Sequence, residues 1–110
     1  AKSAHTTAAV TLTTEADATE LVALHDRLRE SLEQGAIAPT YNDLMVKLAG
    51  EALAAHPSLN TSWHDNGIVF HEHIHIAFAV DTEDGLLAPV VRDVTDKGLR
   101  QIAAESSELI

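Results

Sequence analysis

Residues 68–80 alternate between two sets of side chains more regularly than any other part of the 110-residue chain. One set is apolar and comprises Ile68, Phe70, Ile74, Ile76, Phe78 and Val80. The other set comprises Val69, His71, His73, His75, Ala77 and Ala79. A period of two is typical of a β-strand, because successive side chains of a strand point to opposite faces. The pattern therefore predicts one long strand over residues 68–80.

This strand is expected to be one arm of a hairpin. Asp84 and Gly85 favour a turn, and residues 86–91 have the composition of a returning strand. Pro89 has no N–H group to donate to a ladder, so we expect it at an edge or a bulge. Asp65-Asn66-Gly67 predicts another turn just before the alternation begins.

The first half of the chain predicts a strand followed by two helices. Residues 8–14 are rich in β-branched side chains and predict a strand that buries Val10 and Leu12. Asp17 and Glu20 have the spacing of a capping box and start a helix that Gly35 ends. Its apolar stripe consists of Leu21, Leu24, Leu28 and Leu32.

Two further helices follow from the same reasoning. Thr40 and Asp43 predict the capped start of a helix that stops at His56-Pro57, and only its Lys47 and Glu51 are expected to seek water. It is apolar on more than one face, which predicts a sandwiched helix. A last helix is expected to start near Gly98. The order of elements predicts one α/β domain over residues 1–110, an α+β two-layer sandwich.

Composition excludes several classes of function. The seventeen acidic and seven basic residues give a formal net charge of −10, which argues against binding to nucleic acid or to anionic membrane surfaces. The absence of cysteine excludes a disulfide scaffold, a thiolate metal site and a cysteine nucleophile. No apolar run approaches the roughly 20 residues of a membrane-spanning helix.

The three histidines of the alternating segment could be metal ligands. Side chains on one face of a strand are about 6.6 Å apart, so His71 and His75 would be about 13 Å apart, too far to share one ion. Only an adjacent pair, with His73, could do so. The alternative is a strand face of semi-polar residues, exposed or covered by a partner chain, and the spacing favours this alternative.

Two other groups of residues are candidate sites. Asp81, Glu83 and Asp84 form an acidic turn that either faces a ligand or reflects ordinary turn chemistry, and the pattern favours turn chemistry. Ser106 and Ser107 lie on a predicted helix, and no oxyanion-hole motif surrounds them. The residues by themselves therefore predict no self-sufficient catalytic set.

Three stretches together resemble one family. They are residues 10–21, residues 41–49 continuing to 56–63, and residues 67–91, which include the run Val-Asp-Thr-Glu-Asp-Gly-Leu-Leu-Ala-Pro-Val at 80–90. Their order and spacing are similar to the catalytic domain of the dihydrolipoamide acyltransferases of 2-oxo acid dehydrogenase complexes. The sequence departs from the family pattern mildly, with Ala77 where glycine is frequent and His75 where asparagine is frequent.

The resemblance implies a chloramphenicol-acetyltransferase-like fold and acyl transfer between dihydrolipoamide and coenzyme A. In this family, trimers place the active sites at subunit interfaces, and a channel admits coenzyme A from one side and the lipoyl arm from the other. The implied partners are further copies of the chain and a lipoyl domain, with no metal. The implied compartment is the bacterial or archaeal cytoplasm, or the mitochondrial matrix.

The family's catalytic groups have no counterparts here. Its general base lies in a His-x-x-x-Asp-Gly motif, and no histidine of this chain is followed by Asp-Gly at that spacing. Its oxyanion-stabilising serine lies in a Thr-x-Ser-Asn stretch, which is also absent. The chain is therefore expected to be the first half of an incomplete domain, inactive alone. Asp81 is predicted to face the ligand and Leu87 to form channel wall. The alternatives are a self-associating assembly module and a metal-binding histidine strand.

Overall fold

The computed structural model describes residues 8–33 and 35–110, which contain both helices and strands. The α-helices of this part are α1 (Thr19–Glu30), α2 (Tyr41–Ala55) and α3 (Leu99–Leu109). The strands are β1 (Thr61–His64), β2 (Gly67–Phe70), β3 (Ile76–Ala77), β4 (Val80–Thr82), β5 (Gly85–Leu87) and β6 (Val90–Val91). Short 3₁₀ helices span Pro57–Leu59 and Val94–Asp96. No helix in the described part is both long and apolar enough to cross a bilayer.

The strands pair as antiparallel ladders. Strand β1 pairs with β2 through the predicted Asp65–Asn66 turn, and Gly67 accepts a φ of 135° there. Strands β4 and β5 form the predicted hairpin, and β3 pairs with β6 in the same register. Between these two ladders the Phe78 N–H donates to the carbonyl of Pro89 at 3.1 Å. Pro89 lies opposite Phe78 in this register and has no N–H with which to return the bond, so the ladder of the hairpin is interrupted at this pair.

The predicted long strand is broken at residues 71–75, so that prediction is wrong in its middle. Asn60 makes the hydrogen bonds with this segment that a neighbouring strand would otherwise make. The side-chain amide of Asn60 donates to the backbone carbonyls of His71 and His73 at 3.3 and 3.0 Å. The backbone carbonyl of Asn60 accepts from the His71 N–H. Glu72, in the apolar phase of the alternation, is the one sign of this break in the sequence.

The predicted strand over residues 8–14 is also wrong, because the segment is in no ladder. Val10 and Leu12, expected to be buried, are 82% and 92% exposed. A strand forms only where another edge accepts its hydrogen bonds, and no described strand of this chain lies beside residues 8–14.

Helix α1 begins at Thr19, and its predicted capping box with Glu20 does not form. The Asp17 carboxylate instead accepts hydrogen bonds from the Thr19 hydroxyl at 2.6 Å and from the Thr19 N–H at 3.0 Å. These two bonds, the hydroxyl first, hold the pKa of Asp17 below its ordinary value. The helix ends at Glu30, ahead of Gly35, and none of its residues is fully buried.

Helix α2 begins as predicted and packs differently from the prediction. Thr40 and Asp43 form a complete capping box. One face of the helix is buried and the other is not, since Met45 and Leu48 are exposed. The Lys47 side chain, predicted to seek water, instead packs against the fold, and its Nζ donates to the backbone carbonyls of Val94 and Lys97. Within this chain the helix is therefore covered on one side only.

The core lies where α2 and α3 meet the base of the hairpin. Its buried residues are Val46, Val91, Val94 and Ile102, with Ile76 and Phe78 packed against them. Gly50 permits the close contact of α2 with the 3₁₀ helix, because a Cβ at this position would lie 2.6 Å from Val94 Cγ1. Helix α3 starts after Gly98, as predicted, and buries Ile102, Ala103 and Ser106.

Candidate functional site

The hairpin of β4 and β5 carries both residues that the sequence marked as channel residues. Asp81 pairs with Leu86, and Val80 pairs with Leu87. Paired residues share a face, and neighbours along a strand point to opposite faces. Asp81 therefore shares its face with Leu86, and Leu87 points to the other side. All three side chains are exposed. Sequence reasoning missed Leu86, although its position opposite Asp81 follows from the hairpin register.

The acidic turn at the tip has a local explanation. Thr82 and Gly85 close the turn around Glu83 and Asp84, and the Thr82 hydroxyl donates to the Gly85 carbonyl at 2.7 Å. Gly85 has a φ of 119°, which a residue with a side chain rarely adopts. The acidic residues thus occupy turn positions that suit them, and the turn itself gives no sign of a ligand.

Each of the three histidines of the broken segment has a hydrogen-bond partner within the fold. His71 Nε2 lies 2.6 Å from Ser62 Oγ, and His73 Nδ1 lies 3.0 Å from Asp93 Oδ1. His75 Nδ1 accepts from the Asp93 N–H at 3.0 Å. The rings of His73 and His75 stack at a centroid distance of 5.8 Å and 5° between planes.

This arrangement does not favour the metal hypothesis. Two nitrogens bound to one zinc ion lie about 2.1 Å from it, whereas these parallel rings are held apart and both Nδ1 atoms are bonded to Asp93. In residues 8–33 and 35–110, no group of three or more potential ligand side chains is placed to hold a metal ion.

Two of the clefts in the described part of the chain lie away from the hairpin tip. One, of about 270 Å³, is shallow and is lined by Asn60, His71, Glu72, His73 and His75. The other, of about 420 Å³, lies between the region after α1 and helix α3 and is lined by Ser31, Leu32, Glu33, Gly35, Ala36, Ile37, Arg100 and Ala104. Neither contains Asp81 or Leu87, so the structure does not join either cleft to the predicted channel residues.

Ser106 has a structural partner. Its hydroxyl lies 2.5 Å from Asp43 Oδ1 and donates to it, and Asp43 is only 2% exposed. The other carboxylate oxygen accepts from the Thr40 N–H at 2.9 Å. Ser106 therefore links α3 to the start of α2, and both Ser106 and Asp43 are buried, away from any substrate at the surface.

Known proteins resemble the chain over its whole length. The family model described as 2-oxoacid dehydrogenases acyltransferase (catalytic domain) matches residues 1–110. The dihydrolipoyllysine-residue acetyltransferase component of the pyruvate dehydrogenase complex of Azotobacter vinelandii is 39% identical over 102 residues, which are 91% of this chain and 16% of the relative. A mitochondrial component of the same description from Arabidopsis thaliana is 40% identical over 95 residues, 86% of this chain and 18% of the relative.

Solved structures share the fold. The dihydrolipoamide acetyltransferase of Azotobacter vinelandii, in whose catalytic mechanism a serine, a histidine and an asparagine have been investigated, is 40% identical with a TM-score of 0.78. The cubic core of a pyruvate dehydrogenase multienzyme complex is 38% identical with the same TM-score. Each match covers 86% of this chain and 40% of the solved chain. The chain thus spans well under half of the relatives that it matches.

Proposed function

The chain belongs to the catalytic-domain family of the 2-oxoacid dehydrogenase acyltransferases, and on that premise we propose that it supplies one part of an acyltransferase domain. The reaction of the whole domain would be transfer of an acyl group between dihydrolipoamide and coenzyme A. The observation that carries this proposal is the match to the Azotobacter vinelandii acetyltransferase, at 40% identity and a TM-score of 0.78.

In this proposal residues 1–110 form a single, partial domain of the chloramphenicol-acetyltransferase type. The mixture of helices and strands matches the solved acetyltransferase cores, which supports the fold assignment. The chain corresponds to 40% of each of those solved chains. Its share of the work would be scaffold and channel wall, with the remaining groups supplied by the rest of such a domain.

The contacts of the polar residues support inactivity of the 110 residues alone. Ser106 is bonded to buried Asp43, and His71, His73 and His75 have hydrogen-bond partners within the fold. No histidine has the spacing of the family's general base. Without a base to deprotonate the thiol or a donor for the oxyanion, the chain lacks the groups that accelerate acyl transfer.

The test is acyl transfer from acetyl-coenzyme A to dihydrolipoamide by the purified 110-residue chain. We expect a rate equal to the rate without protein. A complete acetyltransferase catalytic core, such as that of the solved Azotobacter vinelandii enzyme, is measured in parallel as the positive control. Turnover by the chain that scales with its concentration would contradict the proposed inactivity.

We assign Asp81 and Leu87 to the channel of the complete domain. They lie on opposite faces of the β4–β5 hairpin, so they would border different sections of that channel, Asp81 facing a ligand and Leu87 forming wall. Leu86 would join Asp81 on its face. The ligands in question are coenzyme A and the lipoyl group, as substrates. In a complete domain carrying this hairpin, Asp81→Ala and Leu87→Ala would raise KM for one of the two substrates more than for the other.

The alternative role is a self-associating assembly module, and an exposed apolar face favours self-association. On the β1–β2 hairpin, Trp63 lies opposite Ile68 and on the same face as Phe70. Trp63 and Phe70 are 67% and 65% exposed. Large exposed apolar patches mark interaction surfaces in soluble proteins. The cubic core of the solved relative is itself a multi-copy assembly, which supports a trimer-based association of this chain.

Sedimentation velocity over a hundredfold range of concentration tests the association. We expect the average mass to rise with concentration and a Trp63→Ser variant to shift it toward monomer, with the exposed Leu109→Ser as control. A single monomer at every concentration would contradict it. We also propose a lipoyl domain as a partner. For the compartment we propose the bacterial or archaeal cytoplasm or the mitochondrial matrix, because the relatives include bacterial and mitochondrial proteins.

A further inference from the structure

The turn at Asp93 is held by three consecutive residues of the broken segment. His73 Nδ1 lies 3.0 Å from the Asp93 carboxylate, the Ile74 carbonyl accepts from the Val94 N–H at 2.9 Å, and His75 Nδ1 accepts from the Asp93 N–H at 3.0 Å. We call this set of contacts the Asp93 clamp. It joins the segment that enters β3 to the segment that leaves β6, and so closes the base of the hairpin.

The backbone of Asp93 needs such support. Its φ and ψ are 50° and 51°, the left-handed region, and it is the one non-glycine residue of the described part with positive φ. This conformation is unfavourable for a residue with a Cβ. The next residue, Val94, is fully buried and lies against Gly50. The clamp therefore sets the position of a core side chain through a strained turn.

The contacts assign a tautomer to each histidine. An N–H group donates to His75 Nδ1, so this nitrogen must be unprotonated and the proton of the neutral ring is on Nε2. His73 Nδ1 faces a carboxylate oxygen, so it carries the proton. Protonation consequently has opposite effects. A second proton on His73 adds a charge beside Asp93, whereas a second proton on His75 removes the acceptor of the Asp93 N–H.

The two effects are unequal. The His73–Asp93 pair is exposed, with 68% and 42% of the side-chain surfaces accessible, and such pairs contribute little. The His75 contact is the only one of the two that holds the left-handed backbone directly. The titratable side chains around the His75 ring are Asp93 and His73, with His71 and Glu72 across the shallow cleft, and the remaining lining residue, Asn60, does not titrate.

We propose that His75 makes the Asp93 clamp acid-labile: the neutral imidazole holds the left-handed turn, and protonation on acidification releases it and loosens the base of the hairpin. The clamp is intact while His75 Nδ1 is unprotonated, and it is lost where a proton occupies that nitrogen, because a protonated Nδ1 cannot accept the Asp93 N–H. The inference does not depend on the proposed acyltransferase role, because it uses contacts within the chain alone.

The test compares the 110-residue chain with its His75→Asn variant. Asparagine keeps an oxygen acceptor for the Asp93 N–H and does not titrate. Hydrogen exchange of the Asp93 amide, measured by NMR and expressed as a protection factor, is followed between pH 7.5 and 5.5. We expect protection in the wild-type chain to fall about fivefold or more on acidification, the loss of one ordinary hydrogen bond. We expect His75→Asn to keep its protection across this range.

Two further measurements keep the proposal falsifiable if His75→Asn folds poorly. The ring nitrogen shifts of wild-type His75 should report an unprotonated Nδ1 at pH 7.5, and a protonated Nδ1 there would overturn the proposal. Asp93→Asn removes the carboxylate and keeps the N–H, so its Asp93-position amide should respond to pH as in the wild-type chain. A pH response that disappears in Asp93→Asn would assign the effect to His73 and overturn the role of His75, as would wild-type protection that does not change with pH.

Discussion

The core around α3 and the segment before α1 both contain large apolar side chains, and only those of the core are buried. In the core, Val91, Val94 and Ile102 have no accessible surface. In residues 8–14, Val10 and Leu12 alternate with threonines, and both are almost fully exposed. An apolar pattern therefore gives a segment the capacity for burial and does not ensure it. Burial follows where the same chain supplies the facing surface, as α2 and the hairpin base do for α3.

Truncating one apolar side chain in the core and one in residues 8–14 tests this difference most directly. Ile102→Ala should lower the free energy of unfolding by about 2–5 kcal/mol, because it removes buried contacts and leaves a cavity. Leu12→Ala is the matched control and should change the free energy of unfolding by no more than about 0.5 kcal/mol. Urea unfolding followed by circular dichroism measures both. Equal effects of the two substitutions would show that residues 8–14 pack in solution.

A second substitution tests how closely the core is packed. Gly50→Ala places a Cβ 2.6 Å from Val94 Cγ1, so the helix or the valine must move. We expect a loss of about 1–3 kcal/mol in the free energy of unfolding, the usual range for overpacking. Gly50→Ala combined with Val94→Ala should cost less than the sum of the two single changes, since the second truncation removes the clash. Additive costs would contradict the contact.

A third substitution tests the polar link between α2 and α3. Ser106→Ala leaves the buried Asp43 carboxylate without its hydroxyl donor and should lower the free energy of unfolding by about 1–3 kcal/mol. Ser107→Ala is the control one residue away, because Ser107 is exposed and bonds only the Ala104 carbonyl of its own helix. Thermal unfolding of both variants measures the difference. A larger effect at Ser107 would contradict the link.

The smallest effect is expected at Asp17, in the exposed segment before α1. The Thr19 hydroxyl and N–H lower the pKa of this carboxyl, so the folded state favours its charged form. Any stabilisation is present above the ordinary value of 3.8 and is lost as the pH falls through the lowered folded value. Thr19→Val removes the hydroxyl and should move the pKa of Asp17 upward in an NMR titration, with Thr14→Val as the control. An unchanged pKa would exclude the hydroxyl as the main cause.

Prediction from the sequence succeeded where neighbouring residues determine the outcome. The Thr40–Asp43 capping box, the Asp65-Asn66-Gly67 turn and the start of α3 after Gly98 all form as expected. The family assignment from the run at residues 80–90 is confirmed by the family model and the relatives. The first strand failed because no described strand offers it a pairing edge, and the face that Leu86 shares with Asp81 is set by the hairpin register.

The starts of α2 and α3, the turns and the family could be predicted from the sequence, because caps and turns are made by residues within about four positions of each other; the predicted cap of α1 is the exception. Only the tertiary structure decided that residues 71–75 leave the strand, that Asp93 is held between two histidines and that Ser106 reaches Asp43. These contacts join residues 11 to 63 positions apart. Which side chains meet at such separations depends on how the whole chain packs, and no local pattern encodes it.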